Sequence, residues 1–209
     1  QYPLQPHSEE CLLAAGVKRQ LQAAAGDALK QLQQFIDAAE RSDGDRQTDG
    51  WLFGHLGYDL KNEVEQLSSG NPDGIGFPDL FFFEPEILIR LNSGEMIIEG
   101  EDPEQVYREI SEGVFSSPVV LHRVNIQLRF SREEYIRIIE QLKRHILRGD
   151  CYEINFCQEF YAREAIIDPL NIYKKLSSVS PNPFSALYRL EDKWLICASP
   201  ERFLRRQGN

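Results

Sequence analysis

Trp194-Leu195-Ile196-Cys197-Ala198-Ser199-Pro200-Glu201-Arg202-Phe203 is the stretch on which the fold reading turns. Trp194 to Ala198 is an apolar run of strand length. Proline lacks a backbone N–H and biases the residue before it towards extended geometry, so the strand ends at Ser199-Pro200. Two opposite charges, Glu201 and Arg202, stand just beyond it. Two readings follow. A carboxyl group at the end of a buried strand is poorly solvated, which raises its pKa towards the range a general acid needs. Alternatively the segment is a solvated turn in which Glu201 and Arg202 form a structural ion pair.

Outward from this stretch, Phe184 to Leu190 is a second apolar run, and Glu191-Asp192-Lys193 joins the two as a hairpin. Before it, Asp168-Pro169 opens a helix, with Asp as N-cap and Pro at the first position. Leu170, Tyr173, Leu176 and Val179 face inward, and Ser180-Pro181-Asn182-Pro183 stops it. Asp150 begins a strand to Tyr161 that puts Cys151, Glu153, Asn155, Cys157 and Glu159 on one face. Ser131-Arg132-Glu133-Glu134 is a capping box. Its helix carries Tyr135, Ile138, Ile139, Leu142 and Ile146 at three- and four-residue steps and ends at Gly149. Val124, Ile126, Leu128 and Phe130 alternate with polar residues, which predicts a half-buried strand.

The first half reads as a mixture. Cys11 to Val17 is strand-like, and Asp27 to Glu40 has a helical apolar stripe. Arg41 to Asp49 is a polar loop. Trp51 to Tyr58 is aromatic, with Gly54 and Gly57 predicting a bulge or a close backbone approach. A short helix over Leu60 to Leu67 follows. His55 lacks a second ligand at metal spacing and is expected to be a hydrogen-bonded structural residue. Ser68 to Phe77 is loop; Gly74 and Gly76 lack the Lys-Ser/Thr of a phosphate loop. Asp79 to Leu91, broken at Glu84-Pro85-Glu86, and Met96 to Glu99 form a hairpin. Asp102-Pro103 opens a helix to Glu112, and a junction is expected near Ser116–Leu121. The domains are therefore read as residues 1–120 and 121–209.

The totals narrow the function classes. A chain of 209 residues with 42% hydrophobic content can build one large or two small cores. A net charge of −10 argues against a nucleic-acid binder, which needs a basic face. No apolar run approaches the roughly 20 residues of a membrane span. Cys11, Cys151, Cys157 and Cys197 have no CxxC spacing and read as buried free thiols in a reducing, cytoplasmic compartment. Gln1 lacks an initiator Met, and Gly208-Asn209 reads as a turn whose return strand is absent. Both ends are thus expected to be interior to a longer sequence.

Three stretches in this order resemble the large subunits of chorismate-using enzymes: Gly149-Asp150-Cys151-Tyr152-Glu153-Ile154-Asn155-Phe156, Ser180-Pro181-Asn182-Pro183-Phe184, and Ser199-Pro200-Glu201-Arg202-Phe203. Gly50-Trp51-Leu52-Phe53-Gly54-His55-Leu56-Gly57-Tyr58 through Glu63, with Asn155-Phe156, is similar to the aminodeoxychorismate (para-aminobenzoate) branch more than to the anthranilate branch. The resemblance covers nearly the whole chain. It implies an α+β fold: two antiparallel β-sheets packed as a sandwich with helices outside, and an active site in a cleft. It implies amination of chorismate as a hydroxyl leaves, with Mg²⁺ on the substrate carboxylate and ammonia from a glutamine amidotransferase. Glu201 matches the family's general acid. The family's nucleophilic Lys, in a Pro-Ile-Lys-Gly-Thr-type segment, and its Mg²⁺-binding Glu residues are expected beyond Asn209, so these residues alone are expected to be inactive. A tryptophan pocket of the family would draw on Pro183, Phe184 and Ser185, with Ser8 near its other wall; core and turn roles explain Pro183 and Phe184 as well. The alternatives are anthranilate synthase component I and a non-catalytic module that docks the amidotransferase.

Overall fold

The computed structural model describes residues 11–41, 50–92, 94–113 and 123–205. The chain divides into two compact units. One comprises Gln1–Ser116 with Leu190–Lys193, the other Ser117–Arg189 with Trp194–Asn209. The loop over 42–49, the junction near Ser116–Leu121 and the turn at Gly208-Asn209 lie outside the described residues.

The first unit holds β1 (Cys11–Ala15), β2 (Arg19–Ala23), α1 (Ala28–Arg41), β3 (Phe53–Leu56) and a 3-10 turn, Tyr58–Leu60, running into α2 (Lys61–Glu65). It continues with β4 (Leu80–Glu84), β5 (Ile87–Asn92), β6 (Glu95–Glu99) and α3 (Pro103–Glu112). The strands form two antiparallel sheets, ordered β1-β5-β6 and β2-β4-β3. The chain changes sheet twice, between β1 and β2 and between β4 and β5. Gly16 makes the first change with φ +72°, and a Cβ there would strike the Glu86 side chain. Pro85, fully buried, makes the second.

The core follows from the apolar strands β4 and β5. Leu80 and Leu88 are wholly buried, and Phe81 and Ile89 nearly so. Ala23, Ala28, Leu60 and Leu80 form one cluster, with Leu21, Leu32 and Phe82 packed against it. Each fully buried leucine stabilises the unit by about 1.5–3 kcal/mol. Gly54 meets the expectation of close approach: a Cβ there would run into the Phe81 carbonyl oxygen. Glu63 of α2 reaches back to cap α1, accepting from the Ala28 N–H at 2.5 Å and the Leu29 N–H at 3.4 Å. A carboxylate suits a helix N-terminus, where N–H groups lack intrahelical partners. His55 is a structural histidine: Nε2 lies 2.8 Å from the Pro78 carbonyl, and its ring stands edge-on to Phe77.

The second unit holds β7 (Gln127–Leu128), α4 (Arg132–Arg148), β8 (Phe160–Tyr161), α5 (Pro169–Val179) and all but one end residue each of β9 (Phe184–Leu190) and β10 (Lys193–Ser199). Both helix starts are as read. Ser131 and Glu134 exchange capping-box hydrogen bonds of 3.2 and 2.9 Å, and Asp168 accepts from the Asn171 N–H. Gly149 ends α4 with φ +87°. The α+β architecture of antiparallel sheets and helices is thus as expected.

Three expectations need correction. The strand over Val124 to Phe130 shrinks to Gln127–Leu128, and the strand over Asp150 to Tyr161 shrinks to Phe160–Tyr161. Among the described residues these pair only with each other, and beyond them the pairing continues by one backbone bond, the Arg129 N–H donating to the Glu159 carbonyl at 3.0 Å. The thiols are free, but Cys11 and Cys157 are exposed and the other two half-buried. Strand β2 was not anticipated. Its Arg-Gln-Leu-Gln-Ala alternates, with Leu21 and Ala23 on the core side, but the run is short and mostly polar.

Candidate functional site

The end of the β9–β10 hairpin brings together most of the candidate residues. Asn182 sits between two prolines that stop α5. Its amide nitrogen donates to the Ser180 carbonyl (3.1 Å) and hydroxyl (2.8 Å), and to the Ala198 carbonyl at 3.4 Å. That last bond ties the entry of β9 to the exit of β10. The Ser185 hydroxyl donates to the Asn182 carbonyl at 2.9 Å. Phe184 is half-buried, and the Arg202 guanidinium lies 4.9 Å from its ring centre. Pro183 is exposed beside them. The sequence marks Asn182 as a helix stop and as part of the Ser180–Phe184 stretch; its tying of the two strands was not anticipated, although a polar amide flanked by prolines needs partners of its own.

Glu201 follows on the same end. The Ser199 hydroxyl accepts from the Glu201 N–H at 3.3 Å and lies 3.0 Å from the Glu201 carbonyl, closing a tight turn around Pro200. The Glu201 side chain is exposed. This corrects the premise of a buried strand end: β10 is half-buried at most, so the described residues supply little desolvation. The plain alternative changes too. Among the described residues Glu201 and Arg202 form no ion pair, because the guanidinium stacks on Phe184 instead. Further along β9, burial pushes the Tyr188 hydroxyl up to about 12. Ser8, the other wall of the expected effector pocket, lies outside the described residues. So Pro183, Phe184, Ser185 and Glu201 share one hairpin end, and neither of two surface concavities includes them. One, about 420 Å³, is lined by Gln141, Arg144, His145 and Arg148. The other, about 550 Å³, lies between β6 and α3.

A further polar cluster stands at the end of α4, unremarked by sequence pattern. The Asp150 carboxylate accepts from Arg148 and lies 2.7 Å from His145 Nδ1. The Arg148 hydrogen bond, then that of His145, holds its carboxyl below the usual value. Among the described residues no group of three His, Cys, Asp or Glu side chains comes together to hold a metal ion. Nor is any helix among the described residues long and apolar enough to cross a membrane.

A family model described as chorismate binding enzyme matches residues 3–209. Anthranilate synthase component 1 of Thermus thermophilus is 30% identical over 172 residues, which are 76% of this chain and 37% of that protein. Aminodeoxychorismate synthase component 1 of Escherichia coli is 27% identical over 185 residues, 85% of this chain and 41% of that protein. The crystal structure of anthranilate synthase component I from Streptococcus pneumoniae superposes with a TM-score of 0.73 at 20% identity, over 92% of this chain and 50% of that one. The fold is therefore shared, and the match spans 37–50% of the length of these relatives.

Proposed function

The chain belongs to the chorismate-binding enzyme family, and from that premise we propose that it is part of an aminodeoxychorismate synthase component I. In this reading chorismate is aminated to 4-amino-4-deoxychorismate, in the cytoplasm, on the way to para-aminobenzoate and folate. Ammonia comes from a glutamine amidotransferase subunit or domain. The observation that carries the branch is the stretch Gly50 to Glu63, with its likeness to the para-aminobenzoate branch. Its glycine at 54 lets β3 press against β4, and its last residue, Glu63, caps α1.

Glu201 is the residue assigned to the chemistry. A departing hydroxyl is a poor leaving group, and a carboxylic acid that protonates it lowers the barrier. Such an acid must be drawn out of water. The described residues leave Glu201 in water, so this role requires further polypeptide to close over the end of β10. The 209 residues alone are accordingly inactive in this reading. Mg²⁺, if used, is held by residues outside those described.

Anthranilate formation is the second reading, favoured by the 30% identity to the Thermus thermophilus protein. Deleting the coding region in its own host separates the two. Growth restored by para-aminobenzoate is the expected outcome. Growth restored by tryptophan instead would move the chain to the anthranilate branch. No requirement for either would leave a non-catalytic docking module.

A further inference from the structure

Asn182 stands between two prolines, so the chain has no backbone N–H to offer at 181 or at 183. A strand entered through such a pair lacks donors with which to hold its neighbour. Strand β9 begins at Phe184 and β10 ends at Ser199, both at this end of the hairpin. The half-buried side chain of Asn182 makes good the loss. Its amide nitrogen carries two hydrogens and meets only acceptors: the Ser180 carbonyl, the Ser180 hydroxyl oxygen and, 3.4 Å away, the Ala198 carbonyl. One hydrogen serves Ser180, and the other reaches across to β10.

The carbonyl it reaches stands just before the Glu201 turn. Ser199 follows Ala198, and its hydroxyl accepts from the Glu201 N–H at 3.3 Å. Directly after Glu201, the Arg202 guanidinium lies 4.9 Å from the Phe184 ring centre. The turn is thus tied on both sides to one short segment, Asn182 to Phe184. The two ties differ in chemistry. A guanidinium tolerates a range of positions over a ring face, whereas an amide N–H constrains the distance and angle of the carbonyl it meets. Among the described residues the Glu201 carboxylate has no hydrogen-bond partner of its own, so the backbone that carries it sets its aim.

We propose that Asn182 is the positioning residue of the Glu201 turn: its side-chain N–H, donated to the Ala198 carbonyl, sets where the Glu201 carboxyl is presented. This rests on the reading of Glu201 as the acid that protonates the departing hydroxyl. Asn182 touches no reacting atom, and it acts on the rate of that proton transfer rather than on capture of chorismate. Aspartate in its place keeps the shape but turns the donor into a carboxylate that faces three oxygens and repels the Ala198 carbonyl.

The test is steady-state turnover of chorismate with ammonia by the full-length enzyme from its own host. Asn182→Asp should lower kcat at least about tenfold, while KM for chorismate moves by less than about twofold. Asn182→Ala drops the donor without adding charge and should lower kcat by about three- to tenfold in the same pattern. It carries the comparison if the charged variant does not fold. A double-mutant cycle with Glu201→Gln separates aiming from bracing. A residue that only braces the hairpin costs the same factor in both backgrounds, whereas one that aims the acid costs less than about twofold once the acid is gone. Three results overturn the inference alone: full kcat in both Asn182 variants, a rise in KM at unchanged kcat, or an equal loss of kcat in the Glu201→Gln background. Glu201→Gln at the wild-type rate would instead remove the general acid, and the positioning role with it.

Discussion

Strands β4 and β5 and the run from Val124 to Phe130 are comparable stretches of sequence with different fates. Both are rich in residues suited to a pleated surface. β4 has a strand on each side, β2 and β3, and β5 has β1 and β6. Leu80 and Leu88 are buried as a result. Among the described residues the later run pairs with the two residues of β8, and Ile126 and Leu128 stay largely in water. The lesson is that alternation states what a segment can bury, while its neighbours decide whether it becomes a strand. Helices do not share this dependence, because their hydrogen bonds are internal.

The largest contrast between the units is expected from truncating a leucine or valine in each. Leu80→Ala should cost about 2–5 kcal/mol, since it leaves a cavity in the first core. Val179→Ala should stay within about 0.5 kcal/mol, as exposed sites do. Urea midpoints at constant slope would check both, and similar losses would erase the contrast. Next comes Gly54→Ala, expected to cost about 1–3 kcal/mol by overpacking against the Phe81 carbonyl. Gly74→Ala, where a Cβ meets nothing within 4 Å, is its control and should be near neutral.

Helix ends sharpen the comparison further. Glu63→Ala should cost the first unit about 1 kcal/mol by uncapping α1, and Ser131→Ala a similar amount in α4. The first loss should appear as slower folding or lower stability of the sheets, the second as helix content measured by circular dichroism. If Glu63→Ala were silent, the long-range cap would be incidental.

The smallest effect is a pH dependence at α4. The Ser131 N–H and then its hydroxyl lower the Glu134 carboxyl from an ordinary 4.5, and Arg148 lowers Asp150 from an ordinary 3.8. A carboxyl lowered by folding stabilises the fold above its unfolded value, and that contribution disappears as pH falls through the folded value. Helix signal should therefore decline as pH drops below about 4.5, more weakly in high salt because both groups are exposed. Glu134→Gln with Asp150→Asn should flatten that decline, and an unchanged decline would assign it elsewhere.

What the sequence disclosed follows the same division. Capped helices were legible at Asp102, Ser131 and Asp168, because a cap is a local bargain between a side chain and the next turn. The hairpins β5–β6 and β9–β10 were legible from their turns. The pairing of β2 was not, since its partner lies about sixty residues away and its own side chains are mostly polar. At the site, the positions of Pro183, Phe184, Ser185 and Glu201 at one hairpin end were implied by order along the chain. The exposure of Glu201 and the stacking of Arg202 on Phe184 were not, because burial depends on what covers the turn rather than on the turn itself.

The first unit has a buried core, and none of the described residues of the second is buried. Trp51 reports on the first and Trp194 on the second. Urea unfolding of Trp194→Phe and Trp51→Phe, followed by tryptophan fluorescence, measures each unit separately. The expected result is an earlier, shallower transition in the variant that keeps Trp194. Coincident transitions with equal slopes would show a single cooperative core and contradict the account.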